Sequence, residues 1–197
     1  MKNKKLKVTF NSKVILIFSL LCFIATILGM ITKGAATELL FATWHSSLLN
    51  PLTYLRFFTH VIGHGSWEHF IGNISYILLL GPMLEEKYGS KTMLEIILIT
   101  GFITGVIMYV FFPGVLLCGA SGVVFAFIIL ASFTGFQEGE IPLTFILITI
   151  IYIGQQVVQG MTAQDNVSQL GHILGGIIGA TAGYFLNKKA KRSYKSY

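Results

Sequence analysis

Four residues of this chain carry the parts of a nucleophilic reaction. Ser121 stands between glycines in "CGASGVV", Cys118 to Val124, and His172 follows Gly171 in "GHILGG". Upstream, His69 and Asn73 are four residues apart, so a helix through them puts both on one face. A hydroxyl, a base that takes and returns its proton, and donors that hold an oxyanion are the inventory for acyl transfer. Each part also has a duller use. A serine in an apolar segment packs helices, and His69 with Asn73 can tie a loop to a helix. His60, His64 and His69 together offer three imidazoles, the beginning of a metal site. Their spacing is not HExxH, and the stretch from Gly63 to Ser66 is too irregular to keep three rings on one helical face. No metal is expected, and His60 and His64 read as structural polar contacts. A hydrolase elbow is excluded because it needs GxSxG, and here the following glycine comes one residue too early.

The elements that must position these residues are membrane helices. Of 197 residues 54% are hydrophobic and 11% charged, with a mean hydropathy of +0.74, far too few charges to clothe a soluble globule. Counting uncharged stretches against the ~20 residues that cross a bilayer gives six spans, at about 14–32, 66–84, 92–112, 119–135, 142–159 and 169–187. Pro113-Gly114 divides the third from the fourth, and Ser66 is the expected cap of the second. The first run is too long for the apolar part of a signal peptide and lacks a small-residue cleavage site, so it reads as a retained helix. All but two of the 14 basic residues, Lys33 and Arg56, fall on one face of this arrangement, which puts both termini in the cytoplasm. Those basic tails set topology and do not indicate nucleic-acid binding. The stretch from Lys33 to Ser66 is rich in aromatics, among them Trp44, Tyr54 and Trp67, and reads as a long loop lying in the headgroup region. Cys22 and Cys118 both lie in apolar runs and suggest no disulfide. The whole, 1–197, is one all-α domain.

In this topology the fourth and sixth helices both run inward from the outer side, with Ser121 near the start of one and His172 near the start of the other. At 1.5 Å per residue both lie within roughly 10 Å of the outer surface, where they could touch. Gly171, Gly175, Gly179 and Gly183 recur every fourth residue, and Gly122 with Ala126 offers a smooth counterpart. Such a stripe allows close backbone packing, whether for a dimer, a bundle or an active site. No acid lies at mid-membrane to couple ions, which argues against a transporter.

Taken in order, "RFFTHVIGHGSWEHFIGN", "EEKYG", "GASGVV" and "GHILGGIIGA" resemble the rhomboid family of intramembrane serine proteases, over about Lys13 to Asn187. The resemblance implies that Ser121 is the nucleophile and His172 its base, a dyad with no acidic member. The sole aspartate, Asp165, precedes the last helix. It implies that His69, Asn73 and the Ser121 amide hold the oxyanion and that Gly119 shapes the loop entering the fourth helix. Gly122, Gly175 and Gly179 would pack helices closely, Glu85 and Gly89 form an inner ExxxG, and Arg56 is the outer-loop base. Phe125 stands where many members stack a tyrosine on the catalytic histidine, and Leu55 where a tryptophan often precedes the arginine. The implied activity is cofactor-free cleavage of transmembrane protein substrates within the lipid bilayer. Its setting would be a plasma membrane of bacterial type, with the active site towards the extracytoplasmic side. The alternative is an inactive rhomboid-like scaffold that binds transmembrane segments, against which stands the presence of all four polar site residues.

Overall fold

The computed structural model describes residues 9–135, 143–144, 146–148, 150–151, 154 and 166–194. Among them the chain is helical without strands; an isolated β-bridge pairs Thr43 with Leu117. The fifth expected span, 142–159, lies largely outside the described residues.

The first helix, α1 (Lys13–Ile31), has no side-chain cap of its own at Ser12. Its first-turn amides, which lack intrahelical partners, are taken by a carboxylate from elsewhere. Val14 N–H and Ile15 N–H donate to the two oxygens of Glu85 at 3.1 and 3.0 Å. The helix dipole favours an anion at this end. The stretch expected as a loop contains two short helices, α2 (Ala35–Leu40) and α3 (Pro51–Thr59). The second is started by Asn50, whose side chain accepts from Leu52 N–H at 3.0 Å, with Pro51 at its first position.

Helix α4 (Trp67–Tyr88) begins at Ser66, which caps it by accepting from His69 N–H at 3.2 Å. At its C-terminal end Gly89, with φ +84, turns the chain directly into α5 (Ser90–Phe111), and Ser90 Oγ donates to Glu85 at 2.7 Å. Helix α5 stops at Phe111, two residues before Pro113, as a proline requires of the turn it closes. Helix α6 (Ser121–Ser132) continues as a 3₁₀ turn, Phe133–Gly135, and α7 (Asn166–Tyr194) runs well past both ends of the 169–187 expected for it.

Helices α1 and α5 are long and apolar enough to cross a membrane. Val123, Val124, Ala126, Phe127 and Leu130 of α6 share one buried core with Ile15 and Cys22 of α1, Ile74 and Ile77 of α4, and Met93 of α5. The most extensive packing of α6 is with α7. The segment that holds α2 and α3 is docked tightly. Gly105 leaves α5 flat where the Phe57 backbone crosses it, and a Cβ there would stand 2.8 Å from the Phe57 carbonyl. Arg56 is buried, donating to Leu39 O at 3.2 Å and Ser46 Oγ at 2.7 Å, with its guanidinium 4.9 Å from the Trp44 ring centroid.

Candidate active site

The site is built where the loop after α5 turns into α6. Gly119 has φ +134, a conformation that side-chain-bearing residues avoid, and its amide donates to His60 O at 2.9 Å. A Cβ on Gly119 would stand 2.6 Å from His69 Cε1 and 3.8 Å from Asn73 Nδ2. The missing side chain therefore leaves room for the two polar groups of α4 to close on the entrance to α6. Ser121 is the first residue of that helix, so its N–H is among those with no intrahelical partner.

His172 is brought in by backbone contact between α6 and α7. A methyl group on Gly175 would overlap the Gly122 carbonyl, and one on Gly179 the Ala126 carbonyl. The imidazole of His172 packs on Phe125, one turn after Ser121, with ring centroids 4.4 Å apart and planes at 40°. Ser121, His172, His69, Asn73 and Phe125 all line one cavity of about 490 Å³. The four polar groups singled out from sequence thus share a single space, with an aromatic wall behind the imidazole.

Asn73 is buried, and its Nδ2 has no hydrogen-bond partner among the described residues. Leaving such a donor unpaired costs about 1–3 kcal/mol. At the wall of a cavity such an amide can donate to an acceptor that enters it.

The other histidines divide by what they touch. His64 meets the His69 ring edge-on at 5.1 Å and donates from Nδ1 to Ile62 O at 3.2 Å. His60 turns the other way, its Nε2 donating to Gly101 O at 3.0 Å, while its own carbonyl receives Gly119 N–H. It thereby ties α5 to the loop entering α6, a positioning role that residue identity did not disclose. Both histidines lie outside the spanning helices, and burial lowers each to a pKa of about 4, aided at His64 by the neighbouring His69. Both are neutral at ordinary pH. Among the described residues, no three His, Cys, Asp or Glu side chains cluster as metal ligands.

The Rhomboid domain family matches residues 51–189, a stretch that holds all of these groups. Over 141 residues the chain is 25% identical to the Rhomboid protease GlpG of Haemophilus influenzae, covering 70% of this chain and 72% of that protein.

Proposed function

The chain belongs to the rhomboid family, and from that premise we propose that it is an intramembrane serine endopeptidase working through a Ser121–His172 dyad. Ser121 Oγ attacks the scissile carbonyl carbon as its proton passes to His172. The carbonyl oxygen, now carrying the charge, is received by Asn73 Nδ2, the His69 ring and the Ser121 N–H. Collapse of the adduct breaks the C–N bond, and His172 returns its proton to the departing amine. Water, deprotonated by the same imidazole, then hydrolyses the acyl-serine and restores the hydroxyl. Phe125 fixes the orientation of the ring through packing. No cofactor enters.

The observation that carries this reading is the cavity lined together by Ser121, His172 and a buried amide that has no partner among the described residues. The length of α6 is compatible with it. Twelve residues make about 18 Å of helix, less than the ~30 Å hydrocarbon core, which leaves room for Ser121 to begin below the membrane surface. In the proposed orientation both tails are cytoplasmic and the cavity opens towards the outer side of a bacterial-type plasma membrane. Substrates are transmembrane proteins whose helix unwinds near that side, because a helical carbonyl is already hydrogen-bonded.

The test uses purified protein in lipid vesicles with a model transmembrane substrate. Ser121→Ala and His172→Ala should each abolish cleavage, and the double variant should be no worse than either, as members of one catalytic unit are non-additive. Turnover by Ser121→Ala would overturn the serine mechanism, and loss of wild-type activity on chelation would point to a metal. Binding of transmembrane segments with no turnover by the wild type would make the protein a scaffold.

A further inference from the structure

The cavity is not symmetrical about its polar centre. On α4, His69 and Asn73 form one stripe, and Glu68, Gly72 and Tyr76, also four residues apart, form the stripe beside it; all five line the cavity. Glu68 is exposed, and its carboxylate takes hydrogen bonds from Ser66 and from its own backbone amide; among the described residues it makes no ion pair and is the one carboxylate on the cavity wall. Below it, no described residue lies within 4 Å of where a Cβ of Gly72 would stand, so among the described residues nothing fills the wall level with Asn73. Tyr76 closes the inner end.

We propose that Glu68 determines specificity, selecting a positively charged substrate side chain that flanks the scissile bond towards the α4 N-terminus. The proposal rests on the protease reading of the same cavity. A scissile carbonyl beside Asn73 is level with Gly72, whose missing side chain leaves room for the substrate to lie against α4. Glu68 is one turn further out, about 6 Å along the helix axis. A substrate unwound for cleavage advances ~3.3 Å per residue, so the side chain that meets Glu68 belongs to the residue about two positions away. An ionised carboxylate only accepts hydrogen bonds, and it has lone pairs beyond the two that Ser66 and its own amide occupy. Lysine or arginine adds an ion pair to it; glutamate at that position is repelled. Further in, where Tyr76 replaces the charge, no such preference operates.

The experiment measures cleavage in neutral phosphatidylcholine vesicles. One transmembrane substrate carries Lys, Gln or Glu in turn at each of three positions on either side of its cleavage site. The wild type should cleave the Lys form about two- to fivefold faster than the Glu form, the range of an exposed ion pair, at about the second position on one side only. Glu68→Gln should bring that Lys/Glu ratio close to one and Glu68→Lys should invert it, and half-molar salt should shrink it in the wild type. The ratio is taken within each variant, so a general loss of activity or fold cancels. A wild-type ratio near one at every position, or a ratio unchanged in both variants, overturns the proposal while leaving the protease standing. If the wild type cleaves none of the set but binds it, the protease reading fails and this one with it.

Discussion

Asn73 separates a catalytic from a structural role more sharply than any other residue, because its Nδ2 makes no bond among the described residues that truncation could remove. Asn73→Ala should therefore slow single-turnover cleavage by about 10²–10³, the usual loss of one oxyanion donor, while thermal stability holds or rises. Its neighbour behaves differently. The His69 ring touches Gly119 and His64, so His69→Ala should lose rate and stability together. A normal rate with early melting in Asn73→Ala would assign the amide to the fold. His69 and Asn73 were legible in sequence because four-residue spacing is a helical property. His60 was legible as a structural polar contact, but its partner was not, since that is a backbone amide, Gly119 N–H, that carries no residue signature. Glu68 and Gly72 were equally silent, as cavity walls depend on how helices cross.

Between elements, the decisive joint is α6 against α7, and its glycines differ in what they face. Gly175 faces the backbone of Gly122, the residue after Ser121, whereas a Cβ at Gly183 would stand 2.6 Å from a ring atom of Phe133, a side chain that can rotate away. Gly175→Ala should push α7 off α6, removing most proteolytic activity and lowering Tm; Gly183→Ala should lower Tm modestly and keep most of the rate. Activity assays and melting curves on both proteins decide it, and equal loss of activity would reduce the stripe to general packing. Uncharged runs disclosed α1, α4, α5 and α6 to within a few residues, because lipid excludes charge over a fixed length. They did not disclose α2 and α3. At six and nine residues these are too short for a span, and their order comes from docking on the flat face of α5 around Gly101 and Gly105.

For the molecule as a whole, acid should be the weak direction. His60 and His64 have folded pKa values of about 4 against an ordinary 6.5. Above pH 6.5 neither state holds these protons. As pH falls from 6.5 towards 4 the unfolded chain takes protons that the folded one refuses, and stability drops by up to about 1.4 kcal/mol per pH unit for each histidine. Thermal melts in micelles from pH 8 to 4 should show a steep decline below 6.5 that is shallower in His64→Gln. An unchanged slope in that variant would mean that other groups carry the acid sensitivity.

The carboxylate of Glu85 has a consequence for biosynthesis. The first helix leaves the ribosome with its opening amides bare, and the group that completes it is translated some seventy residues later. Until then α1 is an unfinished insertion intermediate, held by lipid and by the insertion machinery alone. Arrival of Glu85, with Ser90 beside it, fastens the first and last turns of three helices at once. Nascent chains arrested just short of Glu85 should leave the α1 N-terminus open to cross-linking, and chains arrested after α5 has emerged should protect it.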